Sequence, residues 1–290
     1  MQDVFAEVKR VSYIEDPKSG TALYATKKFE SKLNNLELVS DCLVFVEQGI
    51  EVPAGLSEKH HFVFCDNPVL DYTRFVCGLA EELALVEEKK AYRLTSEGYY
   101  VGEGVVIGDH VRIEPGVLIG HGVEIGDNTQ VLANAVIKHA SIGKNCLIKE
   151  MALIGLEGFF PVKDENGDNM RLPCLGRVDI SDDVEVGSFT TICRGSNTDT
   201  KVGHHAKIDD HVRIGHDGNI GANTVITAGA VLAGYVTTGE NVRIGLNATV
   251  KHMTSIVDNA EISMGGRVAR NVTTDKGLYG IPQSPITPQK

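Results

Sequence analysis

Residues 101–136 read VGEGVV IGDHVR IEPGVL IGHGVE IGDNTQ VLANAV, six hexads each opened by Val or Ile. The aliphatic recurs at Val101, Ile107, Ile113, Ile119, Ile125, Val131 and Ile137. One residue is then lost, and Ile142, Ile148 and Ile154 keep the count. The phase returns at Ile180, Val186 and Ile192. After four extra residues it runs from Val202 through Ile208, Ile214, Ile220, Ile226, Leu232, Thr238, Ile244, Val250, Ile256 and Ile262 to Val268, with Thr238 as its polar member. Neither the 3.6-residue helical period nor strict alternation produces a sustained six. Short strands joined by tight turns do, stacked as a parallel β-solenoid in which each aliphatic falls on those of adjacent coils. Burying each contributes about 1.5–3 kcal/mol, so a narrow prism holds together without large rings. The composition agrees, with 31 glycines, no tryptophan and 6% aromatics. The glycine that follows many of these aliphatics is expected to supply a positive-φ turn.

The rest of the chain lacks the period. LVFVEQ (43–48) and HFVFC (61–65) read as strands, and DYTRFVCGLAEELALVEEKK (71–90) has helical spacing. The expected organisation is a small α/β domain over 1–98, a β-helix over 99–272 with a loop insertion near 156–177, and an extended proline-rich tail over 273–290. The 28 Lys and Arg stand against 39 Asp and Glu, a net charge of −11. Such acidity argues against nucleic-acid partners. No run of eighteen apolar residues spans a bilayer. The opening MQDVFAEVKR has no apolar signal core, so a cytoplasmic chain is expected. With no CxxC pair, its six cysteines read as reduced thiols.

Two of the ten histidines share a special register. His216 and His252 each lie two residues after a hexad aliphatic, and their spacing is two coils of eighteen. Gly234 is the column member between them. Coils stack at about 4.8 Å, so the two histidine backbones are expected roughly 10 Å apart across a residue without a side chain. Two bases of near-neutral pKa beside a backbone N–H suit acyl transfer, the base taking a proton from an amine and the N–H stabilising the oxyanion. Asp217 and Asp199 are both left as the carboxylate that orients His216. Cys193 reads as a packed thiol, and His110, His121, His139, His204, His205 and His211 as turn or solvent residues.

The [LIV]-G-x-x-x-x pattern resembles the hexapeptide-repeat proteins, which implies a left-handed parallel β-helix. KIDDHVRIGHDGNIG (207–221), AGAVLAGYVTTGENVRIG (228–245) and VKHMTSIVD (250–258) are together similar to the UDP-3-O-acylglucosamine N-acyltransferase family of lipid A biosynthesis. IGLEGFF (154–160), SFTTICRGSNTDTKVG (188–203), TALYATKKF (21–29) and FCDNPVLDYTRF (64–75) follow the same family in order. The resemblance implies His216 as general base and His252 as a second active-site histidine, with Gly234 between them. It also implies a homotrimer with shared sites, no bound cofactor or metal, and an acyl-CoA or acyl carrier protein thioester as co-substrate. The acceptor it implies is a nucleotide-linked amino sugar.

The family's uridine-binding Phe, Asn and Tyr fall on Leu23, Thr26 and Phe29, so these three mark an altered nucleotide site. Phe159 and Phe160 are expected either to wall the acyl chain or to pack beneath the insertion. The family continues into C-terminal helices that help dock acyl carrier protein, whereas this sequence stops at Lys290. Acyl-CoA is therefore expected to serve at least as well as the carrier protein. The alternative enzyme reading is an acyl-CoA-dependent N-acyltransferase of a nucleotide-linked amino-deoxy sugar for surface polysaccharide. Readings of other classes are a non-catalytic β-helix scaffold and a gamma-carbonic-anhydrase-like zinc protein. The last needs two histidines five apart and a third 36 residues earlier. His211 and His216 meet the first condition, but position 175 is Leu.

Overall fold

The computed structural model describes residues 8–275 and the backbone of 278–279. Most of the tail expected over 273–290, with its three prolines, lies outside the described residues. Two compact units are present. The first comprises Met1–Ala91, Glu157–Gly176 and Gly195–Asp199; the second comprises Tyr92–Leu156, Arg177–Arg194 and Thr200–Lys290. No helix among the described residues is long and apolar enough to cross a membrane.

The first unit is built on a parallel sheet of three strands, β1 (Ala22–Ala25), β2 (Leu43–Glu47) and β3 (His61–Cys65), in that order. A 3₁₀ segment, Lys27–Leu38, follows β1. The long helix α1 is Pro68–Glu87. Its start is encoded locally: Asn67 Oδ1 accepts from the Leu70 N–H at 3.1 Å, and Pro68 at the first helical position gives up an N–H that the helix could not use. One face of the sheet buries Leu23, Ala25, Val44 and Val46 with Leu33 and Leu36 of the 3₁₀ segment. The other buries Ala22, Leu43 and Phe45 with Leu70, Tyr72 and Val76 of α1. Burial on both faces explains why these strands read as apolar runs rather than alternating ones. The insertion packs with this unit, because its hairpin, Pro161–Lys163 against Asn169–Arg171, brings Val162 and Leu172 into the second of these cores. Buried Asn197, from the four-residue excess, accepts a 2.6 Å hydrogen bond from the Tyr72 hydroxyl.

The second unit is the prism. Its strands are two to four residues long and form three parallel sheets, one per face, joined at one end by the antiparallel Arg93–Leu94. On one face Val101 pairs with Ile119, Ile119 with Ile137, and Ile137 with Ile154. Ile192, Ile214, Leu232, Val250 and Val268 continue that row. From Ile119 onward every member of this row is buried. Thr238, the polar hexad member, is buried too, and its hydroxyl accepts from the Gly221 N–H at 2.9 Å. All six cysteines are free, and Cys193 is fully buried.

The glycines after the aliphatics correct one expectation. Among them only Gly155 has a positive φ, of 78°. The turns are instead made two residues later, where His110, Asn128, Asn145, Asp183, His205, Asn223, Asn241 and Asn259 hold φ between 54° and 61°. Asn, Asp and His tolerate this left-handed region better than other side-chain-bearing residues. The glycine answers a different demand, close stacking. A Cβ on Gly108 would lie 2.5 Å from Asp127 Oδ1 and 2.7 Å from Asp127 N in the next coil.

Candidate active site

Pairing of Ile192, Ile214, Leu232, Val250 and Val268 fixes what lies two residues after each. Arg194, His216, Gly234, His252 and Arg270 form one column along one edge of the prism. In the same column, two and three coils before Arg194, stand His139 and His121. The next position along, at the turn itself, carries Asp217, Tyr235 and Met253, with φ of 56°, 57° and 58°.

His216 is held from several sides. Its Nδ1 lies 2.7 Å from Asp217 Oδ2, and both residues are 5% exposed. A carboxylate only accepts, so the imidazole donates Nδ1–H, and in the neutral ring Nε2 carries the basic lone pair. The ring lies over Gly234. A Cβ there would sit 2.6 Å from both Cε1 and Nε2 of His216. The notch anticipated at Gly234 is thus filled by the imidazole itself, which is why this position must lack a side chain. Tyr235 stands beside it, its ring edge-to-face with His216 at 5.3 Å and with His252 at 5.7 Å, at 89° in both cases. Partial burial, and next the charge of His216, hold the His252 pKa below the ordinary histidine value, so it is neutral near pH 7.

The backbone of this coil carries one further feature. In several other coils of the prism, the N–H two residues after a hexad aliphatic is capped by a side chain from the following coil. Glu103 N donates to His121 Nδ1 at 2.8 Å, Asp109 N to Asp127 Oδ1 at 2.9 Å, and Glu240 N to Asp258 Oδ1 at 2.9 Å. The Gly234 N–H has no acceptor among the described residues. An uncapped donor beside a base is the pair that acyl transfer demands.

Other sequence candidates fall elsewhere. Asp217 is the carboxylate that meets His216, and Asp199 belongs to the other compact unit. Leu23 is fully buried within the core of the first unit, between the sheet and the 3₁₀ segment, and presents no surface to a nucleotide. The half-buried side chain on that strand is Tyr24, which packs on Tyr72 at 5.1 Å. Thr26 caps the start of the 3₁₀ segment through its carbonyl, which accepts from Phe29 N at 2.8 Å. Phe29 is half-buried, edge-on to Tyr13 at 6.0 Å with Lys28 Nζ 5.2 Å above its ring. Phe160 packs against the core of the first unit, whereas Phe159 is 69% exposed. His121 is buried rather than solvent-facing: it caps Glu103 N and packs on Tyr92 at 4.5 Å. Among the described residues no group of three or more His, Cys, Asp or Glu is arranged to hold a metal ion. Tyr235 escaped the sequence reading, although counting one step beyond Gly234 in the eighteen-residue register would have found it.

The chain is similar to several known proteins. The family described as hexapeptide repeat of succinyl-transferase matches residues 235–268. A probable UDP-3-O-acylglucosamine N-acyltransferase 2, mitochondrial, of Arabidopsis thaliana is 36% identical over 153 residues, covering 53% of this chain and 50% of that protein. The UDP-3-O-acylglucosamine N-acyltransferase of Coxiella burnetii (strain RSA 493 / Nine Mile phase I) is 37% identical over 138 residues, 48% of this chain and 40% of its own. About half of the chain is similar to UDP-3-O-acylglucosamine N-acyltransferases. It spans half or less of the length of these curated relatives. Among solved structures, LpxA of Bacteroides fragilis 9343, a UDP-N-acetylglucosamine acyltransferase, superposes with a TM-score of 0.54 at 26% identity, covering 61% of this chain and 68% of that one. LpxA of Acinetobacter baumannii gives 0.55 at 22% identity over 62% and 68%. The shared fold is the left-handed parallel β-helix.

Proposed function

We propose that this protein is an N-acyltransferase, moving an acyl group from a thioester to the amine of a nucleotide-linked amino sugar. The observation that carries the reading is the buried His216–Asp217 pair seated on Gly234, in a coil whose Gly234 N–H is uncapped. Asp217 holds the Nδ1–H, so Nε2 faces the reacting amine as a base. The amine attacks the thioester carbonyl, a C–N bond forms, and its proton passes to Nε2. The oxyanion of the tetrahedral intermediate is met by the Gly234 N–H. Collapse breaks the C–S bond, and the departing thiolate takes the proton back from His216. His252, neutral at pH 7, is a donor or acceptor for the substrates on the same edge. No covalent enzyme intermediate, metal or resident cofactor enters this scheme. The names of the relatives support a UDP-linked glucosamine acceptor. A homotrimer with sites shared between subunits, in the cytoplasm, belongs to the same proposal.

One observation favours a changed acceptor. The position expected to stack on uridine is Leu23, which is sealed in the core. A nucleotide-linked amino-deoxy sugar acylated from acyl-CoA is therefore the second reading. Mass spectrometry of mixtures containing the protein, UDP-linked amino sugars, and acyl-CoA or acyl carrier protein thioesters tests both. An amide product on the amino sugar is expected. No acyl transfer from either donor to any sugar amine would end the proposal.

A further inference from the structure

We propose that Tyr235 is a positioning residue of this site: its ring, wedged between the imidazoles of His216 and His252, sets their separation and mutual orientation. The inference rests on the acyl-transfer reading and adds to it a residue that touches both histidines. Two coils separate their backbones, a gap of about 10 Å that two imidazoles alone do not fill. Tyr235 meets each ring edge-to-face, at 5.3 Å and 5.7 Å. Such contacts are directional, so one flat ring fixes the planes of two others.

The placement is conformationally unfavourable for a bulky residue. Tyr235 has φ 57°, where many equivalent turns use Asn, as at Asn223 and Asn241, and a few use bulky residues, as at Met151, Phe189 and Met253. The left-handed region disfavours Tyr relative to Asn or Gly, so propensity does not explain its presence. Its neighbours do. His216 is already fixed by Asp217 Oδ2 and by the floor at Gly234. His252 has no such carboxylate partner in its own turn, where Met253 stands in the place of Asp217. Without the Tyr235 ring, His252 would be free to change rotamer or swing toward His216. The groups that act electrostatically on His252 are His216 and Lys251, which disfavour its protonation, and Asp217 and the Gly234 backbone, which favour it.

The test uses the full-length protein with Tyr235→Phe, which keeps the ring, and Tyr235→Asn, which removes it while suiting the positive φ. Tyr235→Gly, also free at positive φ, repeats the ring-free arm should the Asn variant fold poorly. Expected for the ring-free variants is a kcat lower by roughly 10²-fold, the usual loss from misplacing a reacting group by about 1 Å. KM for the nucleotide sugar should move little, and Tyr235→Phe should restore kcat to within about threefold of the parent. NMR titration of the imidazole Cε1–H signals reads the geometry without turnover. His252 should shift upward toward 6.5 in the ring-free variants and stay put in Tyr235→Phe. Equal losses in the Phe and ring-free variants would overturn the proposal by assigning the effect to the hydroxyl. An unchanged His252 titration in the ring-free variants would overturn it by showing that the ring holds nothing. If the parent acylates no amino sugar, the acyl-transfer reading fails by itself, and the titration alone decides whether Tyr235 orders the pair.

Discussion

Four histidines stand in one column of the prism, and they divide into two pairs with different fates. His121 and His139 lie near one end, His216 and His252 near the other, all two residues after a row of paired aliphatics. The register is therefore shared by all four, although His139, in a turn one residue short, has a positive φ of 45°, and the rest of the difference comes from their neighbours. His121 is followed by Gly122 and has its Nδ1 committed to the Glu103 N–H. His139 is followed by Ala140. Burial, with Arg194, Lys138 and Arg177 around it, pushes its pKa down to about 3. Neither has a carboxylate in its own turn. His216 is followed by Asp217 and succeeded one coil later by Gly234, so its ring is anchored at Nδ1 by a carboxylate and lies over a residue without a side chain. A register selects where a histidine points; the residue after it and the residue one coil on decide whether it is a structural cap or a base.

The largest expected effect tests that division directly. His216→Ala should lower kcat by about 10²–10⁴-fold, the usual worth of a general base, with little change in melting temperature. His139→Ala, at an equivalent position, should leave kcat within a few-fold. Parallel kinetics on the two variants check this, and a larger loss from His139→Ala would reverse the assignment of the two pairs.

Next comes the floor beneath the base. Gly234→Ala places a Cβ 2.6 Å from the His216 ring, closer than real contacts allow, so the imidazole must leave its seat. A loss of about 10²-fold in kcat/KM is expected with the fold intact, read by assay and circular dichroism together. Asp217→Asn probes the same base from its other side. It keeps a residue at ease with φ 56° but removes the carboxylate that fixes the tautomer. A tenfold or greater fall in kcat is the expected outcome of single-turnover measurements.

Much of this site is legible in the sequence because the prism is periodic. A six-residue repeat fixes which side chains point inward, and multiples of eighteen bring His216, Gly234 and His252 to one edge. Asp217 is legible as a candidate but not as a choice over Asp199, since hydrogen bonding across a turn depends on rotamers. The role of the repeat glycines was misread, because a turn and a close approach leave the same residue in the text. Tyr235 was missed for a related reason. The register shows which bases share an edge, but an aromatic one position further along carries no mark that it fills the gap between them. The first unit has no repeat, so nothing in TALYATKKF says that Leu23 faces the core while the half-buried ring is Tyr24. Parallel strands covered on both faces lose the alternation that would have told them apart.

The other end of the column has its own acid signature. The folded-state pKa of His139 is about 3 against an ordinary 6.5, so the unfolded chain binds the extra proton. Its contribution to stability is therefore present above pH 6.5 and is lost as pH falls toward 3. The slope is at most about 1.4 kcal/mol per pH unit. Denaturant unfolding at pH 7 and pH 5 should show this loss, and His139→Gln should flatten it. A His139→Gln protein with the same acid sensitivity as the parent would place the proton elsewhere.

The smallest effect concerns His121, the cap. His121→Ala removes the acceptor of the Glu103 N–H and the ring contact with Tyr92. Glu103 is exposed, so water replaces much of the lost hydrogen bond, and the net cost is about 0.5–1.5 kcal/mol. For a chain of this size that is a fall of a few degrees in melting temperature. Acyl transfer should be unaffected, since the end coil contributes nothing to the His216 turn. His121→Asn would test whether capping or ring packing matters, because its amide oxygen accepts from the same N–H without the imidazole. Recovery of stability in the Asn variant would assign the effect to the cap. Failure to recover would assign it to the ring packed on Tyr92, and either result separates this histidine from the base at the other end of its column.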